Sequence, residues 1–196
     1  MLEVGLILLA AGNSSRLGSP KQLLPYSGTT LLQHAMRAAS ASKCAPLLLV
    51  LGANADSIYQ GIDAGRFAFC VNDRWSEGMA SSIRYGLEQI RRLRTDLDGV
   101  LIMGCDQPFI SSKVIDDLLE RFESLEHLVV ASKYGQTIGI PAVFHESLFP
   151  DLNEISGDKG AKSVIHKYDE HVSYVDFPRG EVDIDTGADY EAVTGV

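Results

Sequence analysis

Arg16 and Lys21 early in the chain, Asp106 in its middle, and Asp183 with Asp185 near its end are residue types that handle phosphate: fixed cations for anionic oxygens and carboxylates for a hard metal ion. The basic pair belongs to the stretch Leu6 to Lys21, Leu-Ile-Leu-Leu-Ala-Ala-Gly-Asn-Ser-Ser-Arg-Leu-Gly-Ser-Pro-Lys. Apolar residues without alternation from Val4 to Leu9 read as a strand buried on both faces, and small, turn-forming residues follow at once. Gly12 and Gly18 permit dihedrals and close approaches that a side chain blocks. Leu9, Ala10, Ala11, Gly12, Asn13, Ser14, Ser15, Arg16 and Gly18 therefore make a segment whose backbone N–H groups can wrap a phosphate, with Arg16 and Lys21 adding positive charge. This is not a Walker loop, because Lys21 follows Gly18 by three residues with no Ser or Thr after it, and it lacks the Gly-x-Gly-x-x-Gly of dinucleotide binders. Taken alone, the loop is also compatible with an ordinary strand-to-helix connection carrying surface charges.

Asp106 follows a second buried run, Val100 to Met103, in the segment Gly104-Cys105-Asp106-Gln107-Pro108. Its carboxylate thus sits at a strand end, and Pro108 keeps the chain from simply continuing as helix. Asp183 and Asp185 stand at a comparable place late in the chain. Magnesium is commonly held by one or two carboxylates together with substrate phosphates, which Asp106, Asp185 and Asp183 could supply; each late aspartate is also compatible with a helix N-cap. Asn72, Gly78, Ser81 and Ser82 fall in a polar turn leading into a helix, where they either lie over a nucleoside or simply cap the helix. Trp75 in that turn is open to stacking on a ring or to packing. Lys159, in Gly157-Asp158-Lys159-Gly160, reads either as a clamp on a second substrate's phosphate or as a solvated lysine at a helix cap. His34, His127, His145, His166 and His171 are isolated and receive no acid or base role.

These residues need a scaffold that brings distant segments together. Thr29 to about Ser42 has helical periodicity; Pro46 to Leu51 and Phe67 to Val71 read as strands flanking a short helix, Asp56 to Ala64. A helix from about Ala80 to Arg94, the strand at Val100, a helix from Ser112 to Glu123 and a strand from Leu128 to Ser132 continue the alternation. Such a pattern implies an α/β, three-layer fold with a mostly parallel central sheet, and ligands in such sheets bind beyond the carboxyl ends of the strands. From Tyr134 the pattern loosens, and Gly135, Gly139 and Pro141 suggest an excursion over the sheet that covers a second substrate. Helices ending near Tyr168 and Val193 and a strand from Val172 to Phe177 complete the chain.

Composition narrows the partners. With 196 residues and 45% apolar content, one domain spanning residues 1–196 is expected. A net charge of -9 argues against a nucleic-acid groove or an anionic membrane surface. Cys44, Cys70 and Cys105 are odd in number and far apart, so buried free thiols in a reducing compartment are expected in place of disulfides or a zinc site. No run approaches the roughly 18 apolar residues of a membrane span, and no cleavable signal opens the chain. A cytoplasmic protein is the expectation.

Five motifs together, Leu9 to Gly18 with Lys21, Asn72 to Leu87, Gly104 to Pro108, Gly157 to Lys162 and Asp183 to Thr186, resemble the MobA-like nucleotidyltransferases, and among them the molybdenum cofactor cytidylyltransferase type. The resemblance spans nearly the whole chain. It implies a Rossmann-like nucleotidyltransferase fold and Mg2+-dependent transfer of CMP from CTP to the terminal phosphate of molybdopterin, the molybdenum cofactor, with release of pyrophosphate. Arg16 and Lys21 then match the family's phosphate-binding cations, Asp106 the aspartate of its Asp-Gln-Pro motif, and Asp185, with Asp183, its late metal-binding carboxylate. Leu9-Ala10-Ala11-Gly12 has the cytidylyl form where guanylyl types carry Leu-Ala-Gly-Gly, and Leu31-Leu32-Gln33-His34 is similar to the Leu-x-Gln-His of the cytidylyl type. Leu17, where methionine is common, and the Cys105 inserted between Gly104 and Asp106 depart from the pattern without removing a charge. Transfer from GTP, transfer to another phosphorylated acceptor, and a non-catalytic cofactor-binding chaperone are the alternatives. A molybdoenzyme or its chaperone is the implied recipient of the product.

Overall fold

The computed structural model describes residues 2–124 and 127–195. At its centre lies β1 (Val4–Ala10), paired in parallel with β4 (Leu47–Leu51) on one side and β6 (Gly99–Gly104) on the other. The full sheet has seven strands in the order β5-β4-β1-β6-β8-β7-β9, with β5 at Phe67–Val71, β7 at Val129–Tyr134, β8 at Thr137–His145 and β9 at Val172–Asp176. All pairings are parallel except the two made by β8, so the mostly parallel α/β sheet expected from the alternation is present.

The unbroken apolar runs reflect burial on both faces. Leu6 and Leu8 of β1 pack with Leu32 and Met36 of α1 (Leu31–Ser40) and with Ile115, Leu118 and Phe122 of α4 (Ser112–Phe122). Ile7 points the other way, into a second core with Ile83, Leu87 and Ile90 of α3 (Met79–Leu93). Leu152 of α5 (Phe149–Glu154) and Ile165 of α6 (Lys162–Lys167) join this second core, giving helix, sheet and helix layers. At Gly86 the helix α3 rests directly on the sheet: a Cβ there would lie 2.9 Å from the Cγ2 atoms of Ile7 and Val50. Two shorter helices, α2 (Ala55–Gln60) and α7 (Gly187–Thr194), complete the set.

Three local readings change. Thr29 and Thr30 do not begin a helix: Thr29–Thr30 (β3) pairs antiparallel with Pro25–Tyr26 (β2) around Ser27 and Gly28, both at positive φ, and Thr30 Oγ1 then caps α1 by accepting from Gln33 N–H. The stretch after Tyr134 does not leave the sheet at once. It turns at Gly135 and returns as β8 between β6 and β7, with a register shift at Ala131/Ser132 that absorbs the irregular Gly139–Pro141 segment. Only the later stretch, with α5 and α6, passes over the sheet. Of the three cysteines, all free, Cys44 and Cys105 are buried, but Cys70 on β5 at the sheet edge is half-buried. Among the described residues no helix is long and apolar enough to cross a membrane.

Candidate active site

Register brings the loops together. Ala10 of β1 pairs with Leu51 of β4, and Leu9 with Gly104 of β6, so these parallel strands end at one level and their following loops share one rim. A cleft of about 650 Å³ opens there, walled by Leu9 to Asn13, Lys21, Gly104 to Gln107, and the loops at residues 75–82 and 158–162.

At its charged end, Lys21 Nζ donates to Asp106 Oδ2 at 2.7 Å and to Asp185 Oδ1 at 2.8 Å, while Arg16 Nη2 lies 3.1 Å from Asp185 Oδ2. The lysine side chain is only 13% exposed. Burial pulls its ammonium toward neutrality, but the charge of Asp106 and the hydrogen bonds to both aspartates outweigh that, and the group ends well above the ordinary lysine value. The bond from Lys21 holds Asp185 below its usual range. Asp183 has the opposite fate: burial, then the charges of Asp106 and Asp185, push it up to about 7. Burial and the charges of Asp183 and Asp106 likewise push the Tyr134 phenol up to about 12.

Two carboxylates from distant segments thus converge on one cationic nitrogen, with a third acid nearby that resists ionising. Such a set of hard oxygen donors fits a divalent cation. Among the described residues no three His, Cys, Asp or Glu side chains form a metal-holding group; a pair such as Asp106 and Asp185 suits a cation whose other ligands are phosphate oxygens or water.

Asp183 carries a stability consequence. Its pKa in the folded chain is raised from 3.8 to about 7, so between those values the folded state binds a proton that the unfolded chain has released, and stability falls as pH rises across that window. The metal-free Asp183→Asn variant is expected to melt like wild type in acid and above it at neutral pH, by calorimetry. Parallel pH profiles for the two proteins would contradict this.

The uncharged wall is built differently. Asn72 is buried, its Nδ2 donating to Ser81 Oγ at 2.9 Å and Ser82 Oγ at 3.1 Å, and its Oδ1 accepting from Arg74 N–H. Ser81 in turn donates to the carbonyls of Arg74 or Gly78. Gly78 has φ +99°, and a Cβ there would fall 2.5 Å from the Gly157 carbonyl, whose oxygen also accepts from Ala80 N–H. The start of α3 is thereby joined backbone to backbone to Gly157, at the head of the loop whose residues 158 and 160–162 wall the cleft.

Arg16, Lys21, Asp106 and Asp185 meet in one ion-pair network. Leu9 to Asn13, Gly78, Ser82 and Asp183 line the cleft. Ser14 Oγ accepts from Lys21 N–H, while Ser15 and Gly18 lie exposed on the outer turn. Asn72 and Ser81 support the turn from behind, and Lys159 is not among the lining residues. Lys162 is: its Nζ donates to Thr137 Oγ1 at 2.7 Å. Reading the chain alone also passed over Gln22, fully buried, whose Nε2 donates to the carbonyls of Ala10 and Gly12 at 2.9 Å each and so shapes the glycine loop. Its position directly after Lys21 was the available signal. Gln107, also in the wall, was marked only by its place in the Asp-Gln-Pro motif, and Tyr134 by nothing.

The family described as MobA-like NTP transferase domain matches residues 6–172. Nicotine blue oxidoreductase of Paenarthrobacter nicotinovorans is 31% identical over 194 residues, covering 95% of this chain and 91% of that protein. Molybdenum cofactor guanylyltransferase of Vibrio cholerae serotype O1 is 27% identical over 175 residues, covering 87% of this chain and 80% of that one. Among solved structures, Rv0371c from Mycobacterium tuberculosis H37Rv is similar with a TM-score of 0.86 at 26% identity, covering 100% of this chain and 99% of the other.

Proposed function

The chain belongs to the MobA-like NTP transferase family, and from that premise we propose that it transfers CMP from CTP to the terminal phosphate of molybdopterin, releasing pyrophosphate. The observation that carries the reading is Lys21 held between Asp106 and Asp185 at the mouth of the glycine loop. In the reaction, an oxygen of the acceptor phosphate forms a bond to the α-phosphorus of the nucleotide as the bond from that phosphorus to the β-bridging oxygen breaks, and the electron pair leaves with pyrophosphate. Two anions approach and charge grows on the leaving group, so catalysis is largely neutralisation and alignment. Lys21 and Arg16 face the triphosphate, and N–H groups of the glycine loop, Gly12 and Asn13 among them, orient it. Asp106 and Asp185 would hold Mg2+, which supplies further positive charge to the phosphate oxygens. A phosphate acceptor is already ionised near neutral pH, so no protein nucleophile or general base is needed; none of the residues lining the cleft is a histidine.

Ala11 supports the pyrimidine. It lines the cleft, and the backbone of Gly52 packs so close that a Cβ there would be 2.8 Å from the Ala11 methyl, which therefore cannot withdraw. A glycine at position 11 would leave more room for a purine. Pyrophosphate release from CTP, GTP, ATP and UTP, each with molybdopterin and Mg2+, tests the reading: CTP is expected to be used at least tenfold better than GTP, a difference of ~1.4 kcal/mol, and a preference for GTP would replace cytidylyl by guanylyl transfer. The product would pass to a molybdoenzyme or its chaperone.

For the acceptor's anionic group, Lys162 is the better placed lysine. Lys21 is engaged by two carboxylates, whereas Lys162 lines the cleft and, among the described residues, its ammonium donates to Thr137 alone. Lys162→Ala is expected to raise the acceptor KM about tenfold, as loss of one charge-assisted contact of ~1.5 kcal/mol would, and to leave the nucleotide KM alone. Lys159→Ala should change neither, and initial-rate kinetics on both variants check this.

One observation favours a second reading: the relative with 31% identity bears the name of an oxidoreductase. Net oxidation or reduction of a substrate by this chain, with no pyrophosphate from any nucleotide, would select it.

A further inference from the structure

Asp106 and the Asp183–Asp185 segment reach the cleft from stretches far apart in the chain, so something must set their separation. Gln107, only 4% exposed, is placed to do so. Its Nε2 donates to the carbonyl of Gly180, 73 residues away, at 2.9 Å, and to that of Ile140 in β8, 33 residues away, at 3.2 Å. Carbonyl oxygens only accept, so these two contacts fix which end of the amide faces them. The other end, Oε1, is buried and has no hydrogen-bond partner among the described residues.

Its two donor bonds join three segments. Gly180 lies in the tight turn ahead of Asp183, where Arg179 adopts φ +68° and stacks its guanidinium on Phe109 with the carbon 3.4 Å from the ring centroid. Ile184 N–H then donates to the Asp106 carbonyl at 3.0 Å. The turn bearing the late acids is thus fastened to residues 106–109, and Gln107 ties both to the antiparallel strand. Gln22 offers a built-in comparison: it is a buried amide that also bridges two carbonyls, but those of Ala10 and Gly12 in the glycine loop.

We propose that Gln107 is a positioning residue for the cation site, holding the turn that carries Asp183 and Asp185 against the end of β6 so that carboxylates from both segments face one point. This role rests on the proposed nucleotidyl-transfer reading only in expecting a divalent cation there. Residues of this kind, one step behind metal ligands, typically change metal affinity 10- to 100-fold when replaced.

The test is Mn2+ binding to the full chain without nucleotide, by electron paramagnetic resonance, on wild type, Gln107→Leu, Gln107→Asn and Gln22→Leu. Gln107→Leu should weaken Mn2+ binding about tenfold or more and raise the metal concentration needed for half-maximal turnover, with less than a twofold change in nucleotide KM. Gln107→Asn, which keeps an amide on a shorter stem, should fall between it and wild type and covers the case in which the leucine variant does not fold. Gln22→Leu should show the reverse split, with nucleotide KM raised and Mn2+ affinity kept. Wild-type Mn2+ affinity in a folded Gln107→Leu or Gln107→Asn protein, or equal losses of metal and nucleotide binding in both Gln107→Leu and Gln22→Leu, would overturn the positioning role alone. Failure of the wild-type chain to bind Mn2+ both without and with nucleotide would overturn the proposed reaction with it.

Discussion

Asp106→Asn is expected to lower kcat by about a thousandfold, at the upper end of what removing one preorganised electrostatic group costs, while the chain folds as before. Asn matches the carboxylate in size, and the strand end that presents it is set by the β1–β6 register. Without a bound cation, Lys21 keeps its bond to Asp185, and Asp183 loses a like charge that helps push it up. Folding therefore has little to lose. The chemical step does, because one of the two carboxylates fitted to the cation is gone. Single-turnover pyrophosphate release beside a thermal melt separates the two effects, and a variant retaining more than a tenth of the wild-type rate would remove Asp106 from the site.

For Lys21→Ala two effects are expected together. Use of the nucleotide, as kcat/KM, should fall on the order of a hundredfold or more, the scale on which single groups aimed at developing charge act. The metal-free chain should also lose stability in a pH-dependent way. Asp185 has a depressed pKa because Lys21 bonds to it, so its stabilising contribution is present above the 3.8 of a free carboxyl and is lost as pH falls through its lower folded value. The raised pKa of Lys21 means its own contribution persists through neutral pH and disappears only in strong alkali. Hence the gap between wild type and Lys21→Ala opens above acid pH and stays open at neutrality. Added Mg2+ should narrow it, since a divalent cation would offset the same carboxylates. Melting curves across pH, with and without Mg2+, check both statements; a gap that ignores both would mean that Lys21 contributes packing alone.

Much of this arrangement is legible in the residues because it rests on strong local signals. The run from Val4 to Leu9 is apolar without alternation since both of its faces are covered, and the small residues after it mark the loop. Asp106 at the end of a second such run places itself by topology. Strand β8 is hidden for physical reasons. The Tyr134 hydroxyl sits where a Cβ of residue 139 would point, and Gly139, Pro141 and the bulge at Ala131/Ser132 break the period of two that would announce a strand. The hairpin at Pro25–Thr30 is two residues a side, too short to show any period. Gln22 and Gln107 could not be assigned roles from the chain, because an amide acquires one only from the carbonyls around it, and for Gln107 those come from residues 140 and 180. Lys159 and Lys162 are three positions apart in one basic, glycine-rich stretch, and only the fold decides which of them lines the cleft.

The most direct measurement is the fate of label from CTP carrying it on the α-phosphate, incubated with the full chain, molybdopterin and Mg2+, against a parallel reaction labelled on the γ-phosphate. The expected result is α-label on the acceptor and γ-label in pyrophosphate in equal amounts, both abolished in Asp106→Asn. Folded protein that moves no α-label to the acceptor from CTP, GTP, ATP or UTP would contradict nucleotidyl transfer at this cleft.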